Sequence, residues 1–190
     1  MTHKKELADP PGGIIVGILV LLEILTFTVA IGAFYYKKMH APELFAESQR
    51  VLNPLIGTLN TMVLLTAGFF MASSVKSLRK GKTRTSTHWL YGAIIFGLLF
   101  LAIKSFEYAE KIHAGHTLGH NTFFTFYWLL TGFHFIHVLV GIVILTVLSF
   151  GIRKGSYHAG NYDDLEAGGV FWHMCDLIWL LLFPVLYLIH

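Results

Sequence analysis

Long apolar runs alternate with short polar segments along this chain, at 14–36, 52–75, 89–108, 123–150 and 170–189. A hydrocarbon core about 30 Å thick takes about 20 residues of α-helix to cross, and each run meets that length. In lipid every backbone polar group must be bonded internally, so helices and closed barrels are the only spanning forms. Barrel strands alternate in polarity over about 10 residues, and these runs do not. The predicted fold class is an all-α integral membrane protein with five transmembrane helices. A polar N-terminal segment, 1–13, precedes a single membrane domain, 14–190, with no room for a soluble domain.

Local signals agree with these limits. Pro42 follows the first run, Asn53 and Pro54 open the second, Gly81 separates the second from the third, and Gly151 and Gly155 follow the fourth. Tyr35, Tyr36, Trp89 and Tyr91 stand near run ends, where amphipathic rings favour the membrane interface. The first run is too long for a secretory h-region and is expected to stay in the mature protein.

Composition strengthens this picture. The chain has 190 residues, 55% apolar and 13% charged, too few polar side chains to cover a water-exposed surface. Its basic residues concentrate in loops: Lys76, Arg79, Lys80, Lys82 and Arg84 after the second run, Arg153 and Lys154 after the fourth, and Lys4 and Lys5 at the start. The positive-inside bias places the N-terminus in the cytoplasm and the C-terminus in the periplasm, as in a multi-pass protein of a bacterial inner membrane. A net charge of +3 without an aromatic-interleaved basic face gives no support to nucleic-acid binding. Cys175 is the only cysteine, which excludes an intrachain disulfide and CxxC-type sites.

Ionisable groups inside the spans are costly and therefore mark candidate sites. They are Glu23 in the first run, Lys104 and Glu107 in the third, His134 and His137 in the fourth, and His173 and Asp176 in the fifth. The last three sets share an i, i+3 spacing that puts both members on one helix face. Two histidines on one face, with a further histidine and carboxylates on other helices, are the raw material of a metal site in a helix bundle. Depth opposes one cluster. At about 1.5 Å per residue, His173 and Asp176 fall near the start of their helix, Lys104 and Glu107 near the end of theirs, and Glu23, His134 and His137 near the middle. The expectation is layered contacts and no metal centre: a Lys104–Glu107 ion pair, neutral imidazoles bonded to neighbouring helices at His134 and His137, and a His173–Asp176 pair fixing the last helix. Glu23, with no basic residue at its depth, is expected to be a neutral acid, and a relay or binding role for it stays open. Asn60, Thr131 and Gly132, with Ser73 and Ser74, suit close helix packing. His113, His116 and His120 read as a solvated loop. No nucleophile with its base, phosphate loop or HExxH motif occurs.

The strings around these residues resemble the subunit III family of haem-copper oxidases. TGFHFIHV at 131–138 is similar to the family's TGxHxxHV core, and FWHMCDLIW at 171–179 is similar to its WHxxDxxW motif. Glu23 resembles the family's buried acid, Leu59-Asn60-Thr61 its LNT string, Glu107-Tyr108 its EY pair, and Glu166 the acid preceding WHxxD. The pieces occur in order from Leu22 to Tyr187. The seven-helix members have two helices that this sequence lacks. HAPELFAESQ at 40–49, LNTMVLLTAG at 59–68 and the ending LFPVLYLIH look closest to the five-helix group encoded with nitric oxide reductase. The resemblance implies a non-catalytic subunit that binds no cofactor of its own. Its partners would be a subunit I-type catalytic protein, holding haem with copper or iron, and that protein's electron-entry subunit, with phospholipid on an open groove. On the residues alone, an intramembrane haem or metal redox protein using the histidines remains the alternative, and a small transporter lacks the inverted repeat it would need.

Overall fold

The computed structural model describes residues 13–189, so most of the polar segment at 1–13, and His190, lie outside the described residues. Six helices follow in order: α1 Gly13–His40, α2 Pro42–Arg50, α3 Pro54–Arg79, α4 Thr83–His113, α5 Thr122–Arg153 and α6 Asp163–Tyr187. All but α2 are long and apolar enough to cross a membrane, and no strand occurs among the described residues. The all-α, five-span fold expected from the apolar runs is the observed one.

The helices outrun the apolar stretches at both ends, because backbone hydrogen bonding does not stop where hydrocarbon does. The extra turns of α3 and α4 form a hairpin around Gly81, whose φ of 72° suits glycine. In it Ser74 Oγ donates to Ser86 O and Ser86 Oγ to Ser74 O, both at 2.9 Å. The segment after Pro42 is a further helix, α2, where the sequence reading has a loop. Proline at its first position suits a helix start, and Phe45, Ser48 and Gln49, at helical spacing, form its buried face.

Helices α3, α4, α5 and α6 close a ring in which each packs on the next and α6 returns to α3. Outside the ring, α1 lies against α5 and α6, with Phe27 and Phe34 as its buried residues. Phe34 meets Phe45 of α2 and Phe123 and Phe126 of α5 edge-on, at 5.1 to 6.0 Å between ring centroids, a favoured aromatic geometry. Side chains join the helix ends opposite the Gly81 turn. Asn121 caps α5 by accepting from Phe124 N at 2.9 Å and donates to Ser48 Oγ of α2 at 3.0 Å. Gln49 donates to the carbonyls of Val185 and Leu186 at 3.1 and 3.2 Å, and Lys38 to that of Ile189 at 2.6 Å. The last carbonyls of a helix have no intrahelical partner, so α1 and α2 supply donors to the end of α6.

Packing within the ring depends on glycine where a large ring intrudes. A Cβ on Gly97 would come within 2.7 Å of Trp172 Cη2, and one on Gly141 within 3.0 Å of Trp172 Cε3. The Trp172 indole thus occupies a slot between α4 and α5 that exists because both positions lack a side chain. Gly132, expected among the packing residues, is not one: a Cβ there meets nothing within 4 Å. Its position on α5 turns away from the neighbouring helices. Gly97→Val should therefore destabilise the fold by about 1–3 kcal/mol through overpacking, while Gly132→Ala should leave it unchanged or slightly firmer. Thermal unfolding of the two variants in one detergent checks the contrast.

Candidate functional site

The buried polar residues sit at four levels along the bundle. Nearest the α2 end, Lys104 and Glu107 of α4 are 1% exposed each, with Lys104 Nζ 3.1 Å from Glu107 Oε2. A charge pair this deep needs every hydrogen-bonding position filled, and two tyrosines complete it. Lys104 Nζ also donates to Tyr187 Oη at 2.7 Å and Tyr127 Oη at 3.3 Å. Both hydroxyls donate onward to Glu107 Oε1, at 2.6 Å from Tyr187 and 2.8 Å from Tyr127. Three ammonium protons meet three acceptors, and each phenol both accepts and donates, so the network closes on itself. The ammonium also lies over the rings of Tyr127, Tyr108, Trp179 and Tyr187 at 4.9 to 5.3 Å. Beside it Tyr108 donates to Thr131 Oγ1 at 2.9 Å, and Thr131 donates to Tyr127 O at 2.6 Å, which links α4 to α5.

At the middle level the two histidines of α5 diverge, although their spacing predicts a shared face and a shared role. His134 is fully buried, stacked on Trp179 at 5.3 Å and edge-on to Phe100 at 5.7 Å. Both its ring nitrogens are buried without a hydrogen-bond partner, contrary to the expected interhelical bonds. Aromatic packing claims the ring instead. His137 turns toward α1, where its Nε2 approaches Glu23 Oε2 to 3.2 Å. Glu23, expected to have no basic residue at its depth, thus faces an imidazole across the helix interface. His137 Nδ1 lies 2.8 Å from Phe133 O, and a carbonyl can only accept, so Nδ1 carries a proton. The Nε2–Glu23 contact is close but poorly aligned, since Glu23 Oε2 has no geometrically sound hydrogen bond. Asn60 is also fully buried, with neither amide atom bonded, so it supplies no interhelical hydrogen bond here. Its neighbour Thr61 does, by accepting from Trp179 Nε1 at 2.9 Å.

Toward the Gly81 end, His173 Nδ1 and Asp176 Oδ2 of α6 are 3.0 Å apart. Asp176 presses against α3 at Gly68, where a Cβ would collide with the carboxylate. One level further out, Arg79 Nη2 meets Glu166 Oε1 at 2.5 Å, with the guanidinium over the Tyr162 ring at 5.1 Å. Among the described residues no group of three or more His, Cys, Asp or Glu is placed to hold a metal ion. Tyr127 and Tyr187 are the partners that sequence reasoning missed as polar groups. Their signal was a hydroxyl within a long apolar run.

A closed ring of long apolar helices around a buried charge pair defines a polytopic helical membrane protein. The family model described as cytochrome c oxidase subunit III matches residues 11–190. The chain belongs to that family. Cytochrome c oxidase subunit 3 of Lycodon semicarinatus and that of Bos taurus are each 30% identical to it over 176 residues, 90% of this chain. The Thermostichus vulcanus protein of the same name is 30% identical over 135 residues, 70% of this chain. The chain spans 66% of the length of each of these three relatives, just under two thirds.

Removing one partner of a buried ion pair costs about 3–5 kcal/mol, because the other charge is left uncompensated. Lys104→Met should lose about that much, and the double variant Lys104→Met/Glu107→Leu clearly less than the two single losses summed. Equilibrium unfolding of the four proteins measures the coupling, and simple additivity would contradict the closed network.

Proposed function

We propose that this chain is a non-catalytic accessory subunit of a respiratory haem-copper oxidase or nitric oxide reductase complex. It packs against a subunit I-type catalytic protein with its electron-entry subunit, stabilises it and orders lipid at its surface. Family membership carries the reading. The inward-closed polar groups support it, because Lys104 and Glu107 spend their hydrogen bonds on each other and on two tyrosines. The resemblance of segments 40–49 and 59–68 to the five-helix group supports a nitric oxide reductase partner within that reading.

The rival reading, haem or metal on the buried histidines, fits poorly. His134 is covered by Trp179 and Phe100, and His137 has one nitrogen at Phe133 O and the other at Glu23. Lipid order is supported near Glu23, where an apolar groove of about 250 Å³ runs between α1 and α5 past Phe27, Ala30, Leu129 and Phe133. His173 and Asp176, with Glu166 beside Arg79, brace α6 against α3 and serve the surface offered to the partner. In lipid such association rests on close packing and hydrogen bonds more than on hydrophobic drive.

Affinity purification of the full chain from native membranes should bring down a haem-bearing catalytic subunit. His173→Ala and Asp176→Ala should lower its recovery and hasten loss of turnover without abolishing the chemistry. Stoichiometric haem or transition metal on the isolated chain, lost on His134→Ala or His137→Ala, would overturn the proposal.

A further inference from the structure

Several cations of this chain have a carboxylate beside them: Arg79 meets Glu166, Lys104 meets Glu107, and Lys111 lies 3.8 Å from Glu110. Arg84 and Arg153 do not. Among the described residues neither meets an acid, yet both line one groove of about 470 Å³ between the start of α4 and the end of α5. Arg84, His88 and Tyr91 recur at i, i+4 and i+7, on one face of α4, and Arg153 reaches in from α5. Arg153 Nη1 donates to Tyr91 Oη at 3.3 Å, which draws that guanidinium across to the α4 side. The groove is separate from the Lys104 network and plays no part in the accessory-subunit reading.

Its lining has one chemical bias. Two guanidiniums, an imidazole and a phenol supply hydrogen-bond donors, and no carboxylate is present. Because Tyr91 Oη accepts from Arg153, its own proton is left to donate. Apart from two threonines the remaining lining residue is Ile152, the only aliphatic one, so the groove has no apolar floor for a lipid chain. Two positive groups held over one groove repel each other unless an anion joins them. A guanidinium fork matches the paired oxygens of a phosphate. The volume falls within the range of small-molecule sites, about 300–1,000 Å³. Guanidiniums anchored on two different helices suit an anion with two charged groups better than a single ion.

We infer that this groove binds a water-soluble metabolite carrying a diphosphate. One phosphate group rests on Arg84 with His88 at its side, and the other on Arg153 with Tyr91. The groove lies at the end of the bundle that the positive-inside bias assigns to the cytoplasm, the compartment of phosphorylated metabolites. Tyr91 is a positioning residue for Arg153 as well as a donor.

The test is calorimetric titration of the full chain, in a neutral detergent, with inorganic pyrophosphate. One pyrophosphate should bind per chain. A hydrogen bond to a charged group changes affinity about tenfold or more, so Arg84→Gln and Arg153→Gln should each weaken binding by that much. Orthophosphate, which reaches one guanidinium at a time, should bind weaker by a similar factor. Arg84 is exposed and makes no hydrogen bond among the described residues, so Arg84→Gln leaves the fold intact, and Arg84→Lys should restore part of the binding. Lys76→Gln/Lys80→Gln, removing charge from the α3 side instead, should leave it unchanged. No pyrophosphate uptake, equal weakening in the α3 pair and in Arg84→Gln, or orthophosphate binding as tight as pyrophosphate would each overturn the assignment. So would displacement of pyrophosphate by a short-chain phosphatidylglycerol, which would mark a headgroup site. Because only the isolated chain is used, these outcomes are independent of whether a catalytic partner co-purifies.

Discussion

Two opposite charges sealed inside a bundle that faces lipid set the strictest condition on this structure. Neither Lys104 nor Glu107 reaches water, and an isolated charge in such a place is ruinous unless paired and fully hydrogen-bonded. Four residues from three helices meet the condition together, through a ring of bonds between 2.6 and 3.3 Å. A slip of α5 or α6 by one turn would leave an ammonium or a carboxylate without acceptors or donors. The network thus sets the relative height of α4, α5 and α6, a role that apolar packing alone performs weakly because it tolerates sliding.

Apolar surfaces contribute differently here than in a soluble bundle. Side chains facing lipid gain little by turning inward, so helix contacts depend on fit and on hydrogen bonds. Trp172 in its slot between Gly97 and Gly141, and the paired serines of the α3–α4 hairpin, supply both. Meanwhile α1 stands outside the closed ring and reaches it through Phe27, Phe34 and the Glu23–His137 contact.

How much could be read from the sequence follows from the range of each interaction. The five spans were legible because length and continuity of apolar residues are local properties. Lys104 with Glu107 and His173 with Asp176 were legible because three residues along one helix fix a separation. Partners on other helices were not: Tyr127 and Tyr187 meet Lys104 only after α5 and α6 have packed. The same spacing misled at His134 and His137, since a 60° difference in direction is enough to send one ring into the core and the other to α1. Gly132 failed for a related reason, because a small residue permits close approach without ensuring that a helix is there. The short α2 escaped notice because nine residues with mixed polarity resemble a loop until their buried face is seen.

The order in which the chain emerges gives the charge network a further meaning. Lys104 and Glu107 enter the membrane together on α4, Tyr127 follows with α5, and Tyr187 stands in the final turn of α6. During synthesis the pair therefore waits, incompletely solvated, until the last helix is inserted. The buried pair therefore gains its full set of hydrogen bonds only when α6 has packed beside α4 and α5.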